Sequence, residues 1–253
     1  MFNKLLSSTL VILGLVTNPV LAQQASTVRQ GEWVASFSEP TDRYGHAVLG
    51  DTPEWTRLCL AHNDTEACVT LPKNKVFEDI APRLADVNAD GRMDAVVVES
   101  DDQYGASLVV YLLQDCGELT RVANDPIGTR FRWLAPIGIA DLDGDGYTEI
   151  AYIDRPHLAK TLRILRYVDS KLVEVAATAG LTNHRIGESY ITSGLKNCRN
   201  SPVDIITADA SFKVVMASRF DGQRITTRAI APLTTLADVQ AALECTRAGL
   251  LSH

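Results

Sequence analysis

The stretch Asp141-Leu142-Asp143-Gly144-Asp145-Gly146-Tyr147-Thr148-Glu149 carries acidic side chains at its first, third, fifth and ninth positions. Their alternate spacing directs the acids towards one centre, and the glycines let the backbone bend tightly around it. Carboxylates this close repel one another unless a cation lies between them. Oxygen ligands in a flexible loop favour Ca²⁺. We therefore expect a calcium site formed by Asp141, Asp143, Asp145, the backbone carbonyl of Tyr147, and Glu149.

The sequence on either side of this loop excludes an EF-hand. That motif needs a bidentate Glu at the twelfth position and a helix on each side, whereas the twelfth residue here is Tyr152. Residues 134–140 and 150–154 are apolar and β-branched, which predicts strands. The loop is thus expected to join two strands. The alternative is an acidic, glycine-rich hairpin turn without a metal ion.

The same pattern occurs a second time, 55 residues earlier in the chain. Similarity extends on both sides of the two loops, and each unit reads as four short strands with the acidic loop between the first and second. A period of this length indicates a repeat architecture, and four antiparallel strands per repeat indicate propeller blades. The ligands expected in this second calcium site are Asp86, Asn88, Asp90, the backbone of Arg92, and Asp94.

Two further units complete the predicted architecture. The positions 55 residues after Asp141, Asp143 and Asp145 are Lys196, Cys198 and Asn200. The third repeat is therefore expected to keep its strands, including the one that begins at Asp204, without a metal ion. At the N-terminal side, the predicted strands are 33–37, 47–50, 56–61 and 67–71, again without the ligand spacing. We therefore predict an all-β protein, a β-propeller of about four four-stranded blades with calcium in two of them.

The two ends of the chain have different characters. Lys4, the apolar run 10–16 and compact residues before Ala22 predict a secretory leader at 1–22, cleaved after Ala22. Residues 234–247 predict a helix, with an apolar stripe and Thr235 as its N-cap. The expected segments are therefore a leader at 1–22, a propeller domain at 23–233, and a C-terminal helix and tail at 234–253.

Charge and cysteine content restrict the setting in which the protein works. Cleavage of the leader removes Lys4 and no acid, so the net charge of −7 becomes −8, which argues against nucleic acid and anionic membranes as partners. No stretch after the leader approaches the ~20 apolar residues of a membrane helix. We therefore expect a periplasmic or secreted protein.

Five cysteines in an exported protein suggest disulfides and leave one thiol over. Cys59 and Cys68 flank a predicted hairpin, and a bond between Cys198 and Cys245 would tie the C-terminal helix to the repeat domain. Cys116 would then be free. The alternative is that some or all of these cysteines are reduced, because sequence alone does not fix connectivity.

The two acidic loops resemble the FG-GAP or VCBS-type repeat, known from integrin α-subunit propellers and many exported bacterial proteins. Both loops match the ligand pattern in full, and the part that names the motif is present only as Ala81-Pro82 and Ala135-Pro136. The resemblance extends over most of residues 31–232. It implies a propeller fold and calcium, and it says little about function because the repeat is a scaffold.

The chain has no recognisable catalytic motif: neither a zinc-binding histidine pattern, nor a nucleophile elbow, nor a phosphate-binding glycine loop. Two loops suggest a ligand-binding site. Arg155 and His157 follow one strand, and His184 and Arg185 precede another; together they would suit an anionic group such as a carboxylate. The alternative is that both arginines form structural ion pairs with neighbouring acids.

We therefore expect a calcium-stabilised binding module of the adhesion type, with a protein or a glycan as partner and no predicted oligomeric state. One alternative is an enzyme, a hydrolase or lyase that acts on a glycan or other anionic substrate at the end of the channel. The other is a structural subunit of an envelope assembly. A single pocket lined by the two arginines and two histidines of the loops, Arg155, His157, His184 and Arg185, would favour a ligand site. If these side chains are scattered and form ion pairs, the interaction module is favoured.

Overall fold

A computed structural model describes residues 26–114 and 116–245 of the chain. The predicted leader, 1–22, and the end of the predicted tail, 246–253, lie outside the described residues. The described part is all-β, as predicted, with 18 strands and one short helix. None of its helices is long and apolar enough to cross a membrane.

The strands follow one another closely along the chain. Their bounds are β1 Ser26–Gln30, β2 Trp33–Thr41, β3 Glu54–His62, β4 Thr65–Thr70, β5 Lys75–Phe77, β6 Arg83–Ala85, β7 Asp94–Asp101, β8 Gly105–Leu113, β9 Leu119–Ala123, β10 Leu134–Ala140, β11 Glu149–Asp154, β12 Thr161–Val168, β13 Lys171–Ala179, β14 Leu181–Thr182, β15 Gly194–Lys196, β16 Asp204–Asp209, β17 Val214–Phe220 and β18 Ile225–Pro232. The helix α1 is Leu236–Leu243.

The strands form four antiparallel units, which we call unit 1 (β1–β4), unit 2 (β6–β9), unit 3 (β10–β13) and unit 4 (β14–β18). Units 3 and 4 are separate sheets. Units 1 and 2 belong to one nine-stranded sheet, because β5 pairs with β3 on one side and with β7 on the other. Sequence reasoning misses β5, since three residues are too few to show periodicity.

Unit 1 contains the predicted strand 33–37, within β2, but not the strand predicted after it. Residues 47–50, predicted as a strand, form a turn. The backbone has positive φ at Gly45, Ala47 and Gly50, which is incompatible with an extended strand. Strand β2 pairs instead with β3 on one side and with the unpredicted β1 on the other, and the polar residues of β1 carry no strand signal.

Apolar clusters join the units in chain order. Alternation along β7 places Val97 in a cluster with unit 1, and Val96 and Val98 in a cluster with unit 3. In unit 4, Ile205 belongs to the cluster shared with unit 3, whereas the neighbouring Ile206 packs with the helix. The helix α1 therefore lies on the face of unit 4 that is directed away from unit 3.

The helix is shorter than the predicted 234–247. Asp238 accepts a hydrogen bond from the backbone N–H of Thr235 at 2.8 Å, which caps its start. It ends at Leu243 because Glu244 has an extended backbone. Beyond it, Cys245 is bonded to Cys198, and within unit 1 the hairpin disulfide joins Cys59 to Cys68 at facing positions of β3 and β4.

Candidate functional site: two acidic loops and a histidine pair

The first acidic loop, residues 86–94, connects β6 to β7 in unit 2. Backbone N–H groups of Asp90 and Gly91 donate to the Asp86 carboxylate at 3.1 and 2.9 Å, which curls the loop around its first acid. Gly91 has a φ of +84°, a backbone conformation that suits glycine. At the exposed side of the loop, Arg92 forms an ion pair with Asp90 at 2.8 Å.

Asp94, the last acid of this loop, is fully buried at the start of β7. Its Oδ2 accepts from the backbone N–H of Val87 at 3.0 Å, but its Oδ1 has no hydrogen-bond partner among the described residues. Burial raises the pKa of Asp94 to about 7, and the negative charges of Asp90 and Asp86 add to the effect. A buried carboxylate oxygen without a partner is costly, and a cation would remove that cost.

The second acidic loop, residues 141–149, connects β10 to β11 and repeats the backbone pattern of the first. Gly144 and Gly146 donate to the Asp141 carboxylate at 2.7 and 2.9 Å, and Leu142 donates to Glu149 at 2.8 Å as Val87 does to Asp94. Carboxylate oxygens of Asp141, Asp143 and Glu149 lie within 4.8 Å of one another. The structure thus brings three of the four predicted acids together.

A cationic side chain lies at the point where these acids meet. Arg166 of β12 is across from Glu149 in the sheet and donates to it through Nε at 2.6 Å. Its Nη1 contacts Asp145 at 2.9 Å, and its Nη2 contacts Asp143 at 3.0 Å. Sequence reasoning misses Arg166 because the loop pattern does not include the third strand. Strand register between β11 and β12 is the signal that could have found it.

Unit 4 has the same arginine without the acidic loop. Continuing the register by one residue from Ile205 and Ser218 places Arg219 across from Asp204. Arg219 binds Asp204 at 2.6 Å and Arg228 binds it at 3.0 Å. Burial acts to raise the pKa of Asp204, but hydrogen bonds from the two arginines hold it below its usual value. In unit 2, Ala95 pairs with Tyr111, so the next position of the register places Leu112 across from Asp94.

The structure brings together the two predicted loop histidines. His157 Nε2 lies 3.0 Å from His184 Nδ1, and His184 Nε2 lies 2.8 Å from the carbonyl oxygen of Glu188. A carbonyl only accepts, so His184 carries its proton on Nε2 and accepts from His157 at Nδ1. Burial lowers the pKa of His157 to about 4, helped by the proximity of His184, and burial also lowers the pKa of His184.

The two predicted arginines do not join the histidines in one site. Arg155 binds the neighbouring Asp154 through two hydrogen bonds of 2.8 and 2.9 Å. Arg185 is exposed, lies 3.4 Å from Glu188, and stacks over the Phe212 ring at 4.1 Å. This is the arrangement of structural ion pairs that the sequence left open as the alternative.

A cavity of about 390 Å³ lies between the segment 124–127 and the sheet of unit 3, and Arg155 is on its wall. Its lining includes Tyr152 and Leu165 together with the charged Asp154 and Arg163. Those two groups also bind each other at 3.0 Å. The charged side chains of this cavity therefore form ion pairs with one another.

Sequence reasoning also misses a buried polar network around Glu78. His46 Nδ1 lies 2.6 Å from the Glu78 carboxylate, the Ser100 hydroxyl donates to the same group, and Trp133 Nε1 donates to the Glu78 carbonyl at 2.8 Å. Burial raises the pKa of Glu78. Because Ser100 donates to the acid and not to His46, this network lacks the serine–histidine contact of a nucleophilic site.

Residues 86–152 match the family model described as FG-GAP-like repeat. The match begins at the first acid of the first loop and extends beyond the last acid of the second. It therefore includes both acidic loops and the strands between them. A search of curated proteins gave no match.

Proposed function

We propose that this chain, an FG-GAP-type repeat protein, is a calcium-stabilised interaction module exported from the cytoplasm, with its four units arranged as the blades of a propeller. The repeat and the β-rich fold indicate a module of the interaction type. Calcium, export and the propeller arrangement are the parts that need a test.

The observation that carries the calcium proposal is the buried Oδ1 of Asp94, which has no partner among the described residues. The oxygens of Asp86, Asn88 and Asp90, the carbonyl of Arg92 and this Oδ1 would hold the ion, and oxygen-only ligands suit Ca²⁺. The ion would supply the positive charge that burial of Asp94 requires. The donor set therefore fits the ion in loop 86–94.

Two further features support export and the propeller arrangement. The bonds between Cys59 and Cys68 and between Cys198 and Cys245 suit an oxidising compartment. Apolar clusters join unit 1 to unit 2, unit 2 to unit 3 and unit 3 to unit 4, as stacked blades would require. The leader predicted at 1–22 belongs to the same proposal.

An interaction module fits the side chains better than an enzyme does. Arg155 and Arg185 are held on neighbouring acids, and the acids of both loops accept hydrogen bonds from their own backbone. The hydrolase or lyase and the envelope subunit stay predictions, and no feature of the described residues favours either over a binding module. A protein or a glycan remains the proposed partner.

Thermal unfolding with and without calcium tests the proposal. Extracellular calcium modules have dissociation constants of about 10⁻⁴ to 10⁻³ M. At ten times the dissociation constant, binding adds about 1.4 kcal/mol to the free energy of unfolding. For a chain of this size that corresponds to a rise in Tm of roughly 3–6 °C. A concentration of 10 mM Ca²⁺ is about ten times the weaker of these constants. We therefore expect the wild-type protein to melt at a higher temperature in about 10 mM Ca²⁺ than in excess EDTA.

Two variants test whether the calcium-dependent rise in Tm comes from loop 86–94. Asp94→Asn removes the buried charge and should abolish the calcium-dependent rise in Tm. Asp79→Asn is the matched control, because Asp79 is equally buried in the chain between β5 and β6 but is paired with Arg83. It should lower Tm and keep the rise. An unchanged wild-type Tm contradicts the calcium proposal, and an undiminished response in Asp94→Asn contradicts its location.

A further inference from the structure

We infer that Arg166 is the built-in counter-ion of loop 141–149 and excludes calcium from it, so that only loop 86–94 takes the ion. The inference departs from the sequence expectation of two calcium sites, one in each loop. It deepens the proposed function and rests on it for the contrast between the two loops. While the guanidinium occupies the centre of the acids, the donor set of loop 141–149 does not fit a metal ion.

The first argument is that the guanidinium uses its three nitrogens on three different carboxylates. Nε and Nη2 contact Glu149, Nη2 also contacts Asp143, and Nη1 contacts Asp145, all at 2.5–3.0 Å. Glu149 is fully buried and the Arg166 side chain is 19% exposed, so solvent screens the contact weakly. A planar, permanently charged fork suits this multidentate role better than a lysine would.

The second argument is that no buried carboxylate oxygen is left over in this loop. Glu149 Oε1 is bound by Arg166, and its Oε2 accepts from the backbone N–H of Leu142. In loop 86–94 the corresponding Asp94 has one oxygen bound by the corresponding Val87 and one oxygen without a partner among the described residues. The two loops therefore differ at the last acid: the guanidinium of Arg166 binds the buried Glu149, whereas the arginine within loop 86–94, Arg92, is paired with Asp90.

The third argument comes from comparing the same sheet position in three units. Unit 3 has Arg166 opposite its last loop acid, and unit 4 has Arg219 opposite Asp204. Unit 4 retains this pair although Lys196, Cys198 and Asn200 have replaced its loop acids. In unit 4 the arginine at this position, together with Arg228, binds both oxygens of Asp204 where the loop acids are missing. Unit 2 has the apolar Leu112 there, and it is the unit with the unsatisfied oxygen.

Calcium titration of the mature chain by isothermal calorimetry tests the inference. The wild-type protein should bind one Ca²⁺. Arg166→Ala frees three carboxylates and opens space between them, so it should bind two, and its calcium-dependent rise in Tm should exceed that of the wild type. Arg219→Ala is the matched control, because unit 4 lacks loop acids; it should lower Tm but still bind one ion.

A second variant answers the question if Arg166→Ala fails to fold. Asp143→Asn keeps Arg166 in place, so the variant should still bind one ion with an unchanged calcium response. Loss of a bound ion in Asp143→Asn, or unchanged stoichiometry in a folded Arg166→Ala, overturns the inference. If the wild type binds no ion but Arg166→Ala binds one, the inference stands and the proposed site at loop 86–94 fails.

Discussion

At the scale of single residues, the pair of His157 and His184 shows how burial fixes protonation. His184 donates to the carbonyl of Glu188 and accepts from His157 at Nδ1, so the hydrogen bond between the two rings requires His184 to be neutral. The pKa of His157 is lowered to about 4, chiefly by burial, from an ordinary value of about 6.5. The unfolded chain therefore binds more protons than the folded chain between these two pH values.

The contribution of this pair to the free energy of unfolding should consequently be fully present above pH 6.5. It should decrease as the pH falls towards 4. We expect His157→Gln, which removes one of the two titrating rings, to flatten this part of the pH dependence. Urea unfolding at several pH values measures it. His62→Gln, at a histidine stacked on Trp33 in unit 1, should keep the wild-type slope. An equal slope in wild type and His157→Gln would contradict the role of the pair.

At the scale of elements, the helix α1 completes the outer face of unit 4. Val239 is buried against Ile206, Val215 and Ala217 of the sheet, and Leu243 lies over Gly194, where an added Cβ would come within 3.0 Å. An eight-residue helix is not stable on its own in water, so its packing and its covalent tie maintain it. The tie is the disulfide from Cys245 to Cys198.

The two disulfides should stabilise the protein unequally. Chain-entropy estimates give about 4 kcal/mol for the bond between Cys198 and Cys245, which spans 47 residues, and about 2.5 kcal/mol for the hairpin bond, which spans 9. We expect the double variant Cys198→Ser/Cys245→Ser to lose more free energy of unfolding than Cys59→Ser/Cys68→Ser. Chemical denaturation compares them. A larger loss in the hairpin variant would show that the helix is not held by its bond.

At the scale of the whole molecule, the turn 47–50 brings the two ends of the repeat array together. Gly187 of unit 4 donates its backbone N–H to the Val48 carbonyl at 3.1 Å. Val48 and Leu49 are buried in the cluster shared by units 2 and 3. Gly50 has a φ of +63°, and a Cβ there would lie 2.6 Å from the Gly187 carbonyl oxygen. Unit 1 thus contacts unit 4 through these two loops.

Replacing Gly50 should therefore weaken this junction. Gly50→Ala adds the cost of a left-handed alanine, about 1–2 kcal/mol, and a backbone overlap that requires the two loops to separate. Gly31→Ala is the matched control: its φ of +59° is similar, and nothing lies within 4 Å of the added Cβ. We expect denaturation to show a larger loss of stability in Gly50→Ala. Equal losses would mean that the junction yields without cost.

The features that the sequence determined are those with a local signal. Strand alternation and the 55-residue repeat located most strands of units 2 to 4 within a few residues, and the ligand spacing identified both acidic loops. The two cysteines that flank a predicted hairpin suggested the bond between Cys59 and Cys68. Each of these patterns is imposed on neighbouring residues by backbone geometry, so it can be seen in the chain without knowing the fold.

Only the tertiary structure decided the features that depend on contacts between distant residues. Residues 47–50 are apolar like a strand, but positive φ angles at Ala47 and Gly50 make them a turn, and Val48 and Leu49 are buried in the core between units. Arg166 meets Glu149 only because β11 and β12 pair in one register. The acids of the two loops therefore look equivalent in the sequence, whereas the residue across the sheet from the last acid is an arginine in unit 3 and a leucine in unit 2, so that Glu149 has a guanidinium opposite it and Asp94 does not.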